Sequence, residues 1–136
     1  MSRLWQSSLL FILALTGFTL LGCGSRVSTV SGKVTLDGAP LANGTIAFVP
    51  ADGRTASAEV KIKDGFYSVQ MPPGRKRVQI SATKVIGQRV VYAGDPNSPV
   101  VDNVQEIIPQ QYNAATTLTF EATTGGAQQD FALKSR

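Results

Sequence analysis

The sequence predicts an all-β protein, a sandwich or a barrel, behind a short apolar leader. Three observations carry this prediction. From residue 27 onward, apolar and polar residues alternate with a period of two. Turn dipeptides recur at short, near-regular intervals. No segment after residue 23 sustains the 3.6-residue apolar stripe of a helix.

The strands follow in order. Val30, Gly32, Val34 and Leu36 share one face, and Ser31, Lys33 and Thr35 take the other. Ile46 and Phe48 mark the next strand. Ala56, Ala58, Val60 and Ile62 alternate with Ser57, Glu59, Lys61 and Lys63. Tyr67, Val69 and Met71 alternate with Ser68 and Gln70, and Val78, Ile80 and Ala82 with Arg77, Gln79, Ser81 and Thr83. Leu118 and Phe120 mark a further strand, and Phe131 with Leu133 the last. Each pattern describes one buried and one wet face. Asp37-Gly38, Asn43-Gly44, Asp52-Gly53 and Asp64-Gly65 are turn signals, because these residue types tolerate positive φ. Pro72-Pro73-Gly74 ends a strand, since proline cannot donate to the ladder. Gly125-Gly126 is expected to separate the last two strands. The stretch Gly87–Gln105 breaks the rhythm with Gly94, Asp95, Pro96, Asn97 and Pro99. It is expected to be a solvated insertion with an edge strand, with a binding loop as the alternative.

Composition limits the chemistry. The chain has 136 residues, enough for one domain, and its 43% hydrophobic and 16% charged content suits a packed core. There is no His, which removes imidazole bases, Ser-His or Cys-His nucleophiles and imidazole metal sites. The single Cys, Cys23, allows no intramolecular disulfide. The net charge is +4, and Arg3 is the one charge among the first 22 residues. Such a mild excess permits contact with anionic surfaces but is far from the concentrated footprint of a nucleic-acid binder.

Residues 1–22 read as an export signal. One cation, Arg3, precedes the apolar run Leu9–Leu21, and the small residue Gly22 precedes Cys23. The apolar run from 9 to 22 is shorter than the roughly 20 apolar residues of a membrane span. Leu20-Leu21-Gly22-Cys23 resembles the lipobox of bacterial lipoproteins. That resemblance implies cleavage after Gly22 and a diacylglyceryl group on the Cys23 thiol. It therefore implies an exported chain, lipid-anchored on the periplasmic or cell-surface face of a membrane. Two or more acyl chains would hold it stably. Residues 24–29 then form a polar tether, and 30–134 the domain.

The stretch from Val30 to Leu41 (Val-Ser-Gly-Lys-Val-Thr-Leu-Asp-Gly-Ala-Pro-Leu) resembles the opening of carboxypeptidase regulatory-like, or transthyretin-like, domains. Asp64-Gly65-Phe66-Tyr67 and Pro72-Pro73-Gly74 match later turns of that family. Ile107–Asn113, Thr117–Thr119 and Phe131–Leu133 are similar to the end of a lipoprotein variety common in planctomycete bacteria. The resemblance implies a seven-stranded antiparallel Greek-key sandwich and a non-catalytic interaction or structural module. Position 76 departs from the family, carrying Lys where an aromatic is usual, which puts the register of that strand in question. The hydroxyisourate hydrolase branch of the fold needs His and a C-terminal Tyr-Arg-Gly-Ser, and this chain has neither.

The candidate binding surface is the basic run Arg75-Lys76-Arg77 together with Tyr92. The run would read anionic headgroups or glycans, or else be a solvated strand start with alternate side chains pointing outward. Tyr92 would serve as a glycan platform, whereas Tyr112 is expected to pack beside Ile107 and Ile108. Asp37, Asp52 and Asp64 each precede Gly, so turn formation explains them without catalysis or calcium. No catalytic residue, metal or cofactor is expected. The expected partners are the membrane through Cys23 and an envelope protein or polysaccharide, not nucleic acid.

Overall fold

The computed structural model describes Gly24 and residues 26–136. The Gly22–Cys23 cleavage and lipid site, and the leader before it, lie outside the described residues. The strands are β1 (Ser28–Leu36), β2 (Ala39–Pro40), β3 (Asn43–Pro50), β4 (Ala58–Lys63), β5 (Phe66–Met71), β6 (Gly74–Ser81), β7 (Thr83–Val90), β8 (Val100–Glu106), β9 (Thr119–Ala122), β10 (Gly125–Gln128) and β11 (Phe131–Leu133). A single 3-10 turn, Gln110–Tyr112, is the helical element among the described residues, and none of them forms a helix long and apolar enough to cross a membrane.

Seven strands form one hydrogen-bonded path, β10-β1-β5-β4-β3-β6-β9. β4 and β5 share one residue pair, Lys63 opposite Phe66, beside their tight turn. The path therefore folds there into two leaves, β10-β1-β5 and β4-β3-β6-β9, and the protein is an all-β sandwich. β1 neighbours β5, and β3 neighbours β6, across intervening strands, which is the interleaving of a Greek key. The ladders are antiparallel with one departure. β10 and β11 both run parallel to β1, Ser28 facing Gly125 and Val34 facing Phe131. Gly125-Gly126 thus opens a strand rather than separating two, and the break falls at Gln129-Asp130.

That break crosses β1 at Gly32. Gln129 N donates to Ser31 O at 2.9 Å and Lys33 N donates to Asp130 Oδ1 at 2.8 Å. A Cβ on Gly32 would lie 1.8 Å from Gln129 O, so only glycine fits. The Tyr67 hydroxyl donates to the same carbonyl at 2.7 Å. Burial raises the pKa of that phenol, and the nearby Asp130 carboxylate raises it further.

The core fills the space between the leaves. Val30, Val34, Ile46, Phe48, Ile62, Met71, Val78, Ile80 and Leu133 are buried, each contributing about 1.5–3 kcal/mol by leaving water. Phe48 meets Tyr67 across the leaves at 6.0 Å between ring centroids, and Phe120 edge-on at 6.0 Å. Tyr112 is half-buried against this core together with Ile107. Asp37 and Asp64 adopt φ of 52°, and Gly38 and Gly65 follow at 87° and 79°, so both turns carry positive φ at their two central residues.

The sandwich has two poles. At one, Ser28 starts β1 opposite Met71, and β3 ends at Pro50 opposite Lys76. At the other, β6 ends at Ser81 opposite Thr45, and the chain passes directly into β7. The entry of the chain and the departure of β7 are therefore at opposite ends.

Candidate functional site

β7 and β8 form a separate two-stranded hairpin that pairs with no other strand. The expected irregular insertion is thus a regular antiparallel ladder, running from Thr83 opposite Glu106 to Val90 opposite Val100. A bulge lies between Val85 and Gly87, and this extra residue hid the alternation in the sequence. Opposed residues share a face. Val85 with Val104 and Val90 with Val100 stand on one face, flanking Gln88 and Asp102. Gln88 Nε2 donates to Asp102 Oδ1 at 3.1 Å. Lys84 and Arg89 stand on the other face, opposite Gln105 and Val101.

Burial in the hairpin departs from the body. Val85, Ile86, Val90, Val100 and Val104 are each more than half exposed. Of the nine large apolar side chains exposed among the described residues, seven lie between Val85 and Val104. The sequence singled out Tyr92, which is 63% exposed at the tip. The sequence shows Val90-Val91 and Val100-Val101 as short apolar pieces there but does not mark them as exposed. The signal was present in Val100-x-Asp102-x-Val104, interrupted on β7 by the bulge.

The arm is ordered at both ends. At its root, Glu106 accepts hydrogen bonds from the Ser81 hydroxyl, from Ala82 N at 2.9 Å and from Ile108 N at 2.9 Å. Desolvation alone would raise the Glu106 pKa, but these bonds outweigh it and hold the carboxyl below its usual range. At the tip, Tyr92 N donates to Ser98 Oγ at 2.7 Å and Asn97 N to Asp95 Oδ1 at 2.9 Å. Below the root lies an open cleft of about 470 Å³, whose lining includes Asn43, Thr45, Lys61, Lys63, Ser81 and Thr83.

The basic run divides. Arg75 and Arg77 are exposed on β6, opposite Glu121 and Thr119 of β9. Lys76 is 1% exposed and stands on the inner face with Val78 and Ile80. It therefore does not belong to an exposed surface. Side chains alternate along a strand, so Lys76 takes the inward place between two arginines, and the register of the strand holds. Nor do these residues meet Tyr92. Arg75 is at the Ser28 pole, whereas the hairpin that carries Tyr92 leaves from the opposite one.

The carboxylates serve turns. Asp52 Oδ1 accepts from Arg54 N at 3.0 Å, which holds its pKa below the usual value. Hydrogen bonds from Ser135 do the same for Asp37, whose Oδ1 accepts from Ser135 N at 3.0 Å. No cluster of three or more acidic, His or Cys residues suited to a metal occurs among the described residues.

No family model matches the chain, and no curated protein is similar to it. Among solved structures, the crystal structure of a 9R-lipoxygenase from Cyanothece PCC8801 aligns over 80% of this chain and 16% of its own length, with 12% identity and a TM-score of 0.35. The chain thus spans under a fifth of that protein.

Proposed function

We propose that the chain is an exported lipoprotein, anchored through Cys23, whose sandwich presents the β7–β8 hairpin as a non-catalytic interaction arm at the cell envelope. The observation that carries the reading is the exposed valine face of the hairpin. A two-stranded hairpin is marginal in water alone, and a ladder with one apolar face is built to be covered. Its two outer edges also carry unpaired backbone groups, so a partner strand can extend the ladder. The pole arrangement supports the same reading. A lipid on Cys23 would hold the Ser28 pole against the membrane, and the arm would point away from it.

The kinship with carboxypeptidase regulatory-like domains remains part of the proposal. It is supported by the seven-strand path and by Lys76 standing inward, where that family carries an aromatic. A glycan- or wall-binding role is the second reading, favoured by the exposed Tyr92 ring.

The test is site-specific photo-crosslinking in intact envelopes, with the photoreactive residue at Val90 or Val104 and, as control, at Thr117 on the body. A discrete adduct from the hairpin positions alone is expected. Adducts of equal yield from Thr117, or none from the hairpin, would overturn the reading. An adduct with polysaccharide at Tyr92 would favour the second.

A further inference from the structure

The Ser28 pole encloses a cation. Lys76 enters the core between Val78 and the pole, and its Nζ lies 3.4 Å from Thr55 Oγ1. That is longer than an ordinary N–H···O bond of about 2.7–3.2 Å, and it engages one of an ammonium's three donors. Beside it, between residues 51–55 and 73–76, lies a cavity of about 100 Å³ lined by Asp52, Thr55, Gly74, Arg75 and Lys76 among others. A water occupies roughly 30 Å³ in the liquid, so the space suits a few waters or one small oxyanion. Asp52 stands on the lip and feels the Lys76 charge, which is among the causes that lower its pKa, but its Oδ1 accepts from Arg54 N within its own loop. Water would satisfy donors, and Asp52 balances the charge only from the lip. A buried cation is stable when an opposite charge meets it at hydrogen-bond distance.

We propose that this cavity is a binding site for one phosphate-type oxyanion, held by Lys76 Nζ and the Thr55 hydroxyl, with Arg75 at the rim. The site does not depend on lipidation of Cys23. If that lipid is present, headgroup phosphates lie near the mouth; otherwise the source is free phosphate.

The test is thermal unfolding of the full chain in detergent, in inorganic phosphate and in chloride at matched ionic strength. A ligand that binds only the folded state raises Tm in a saturable way. Phosphate is expected to raise the Tm of the wild type, with affinity at least about tenfold lower in Lys76→Met and a few-fold lower in Arg75→Gln. No rise above chloride, or an equal rise in Lys76→Met, would mean an adventitious ion only and would overturn the site. If Lys76→Met does not fold, the ¹⁵Nζ resonance of Lys76 in the wild type decides: displacement on phosphate titration supports the site, and an unmoved resonance overturns it. Tighter binding of glycerol 3-phosphate than of inorganic phosphate would identify the headgroup as the source, and the reverse order would identify free phosphate.

Discussion

The two poles of this sandwich invert the usual distribution of side chains in opposite senses. At the Ser28 pole a lysine is inside, with its ammonium under the 51–57 loop. At the far pole a ladder of valines is outside, on a hairpin that pairs with no other strand. Neither is explained by folding alone, since a buried charge and an exposed apolar face both cost stability in water. The body between them obeys the rule closely. Such departures mark the places where a structure is held for another purpose, and here they are separated by the length of the sandwich.

Four measurements sharpen or break this contrast. The largest effect is expected at Lys76. Its methylene stem fills core volume, so Lys76→Ala leaves a cavity and should cost about 2–4 kcal/mol in denaturant unfolding. Lys76→Met keeps the volume and removes the charge, and should be neutral or stabilising by about 1 kcal/mol in phosphate-free buffer. A large loss in Lys76→Met would show that the charge itself holds the pole together.

The second measurement makes the same substitution in both environments. Val78→Thr places a hydroxyl in the core and should cost about 1–3 kcal/mol. Val104→Thr on the arm should change stability by less than about 0.5 kcal/mol while abolishing the hairpin crosslink. Equal costs would mean that the arm is packed, and the contrast would fail.

The third concerns the root of the arm. The folded-state pKa of Glu106 is depressed. Its contribution is therefore present above the ordinary carboxyl pKa of 4.5, and is lost as pH falls through the lower folded value. Below pH 4.5, amide exchange in β7 and β8 should accelerate relative to β3 and β6, after correction for intrinsic rates. Glu106→Gln should show the accelerated arm exchange already at neutral pH. Uniform change across all strands would contradict the local role.

The smallest effect is expected at Ser28. Its hydroxyl is buried without a hydrogen-bond partner. Ser28→Ala should be neutral or stabilise by up to about 1 kcal/mol in urea unfolding. A clear loss would reveal a partner for that hydroxyl.

Much of the body was legible in the sequence, because period-two alternation and Asp-Gly turns act locally. Val30 and Val34, Ile46 and Phe48, and Tyr67, Val69 and Met71 bury the faces their parity assigns. Parity also held the answer for Lys76, which shares it with Val78 and Ile80. A solvated strand start with alternate side chains outward is what the structure shows, at Arg75 and Arg77. Two features were not legible because they depend on long-range geometry. The parallel docking of β10 and β11 onto β1 is visible locally only as the small residue Gly32, which the chain at Gln129 crosses. The exposure of Val85, Val90, Val100 and Val104 is invisible because alternation states that one face is apolar, not that anything covers it. The bulge after Val85 further disguised that strand as a loop.

In the proposed function, one pole is held at a membrane while the other reaches away from it. The most direct test is the mass of the N-terminal peptide of the mature protein made in a bacterial host, with Cys23→Ala as control. The account predicts a peptide that begins at Cys23 and carries the added mass of acyl chains, and loss of this species in the control. A chain that retains residues 1–22, or an unmodified Cys23, would contradict it.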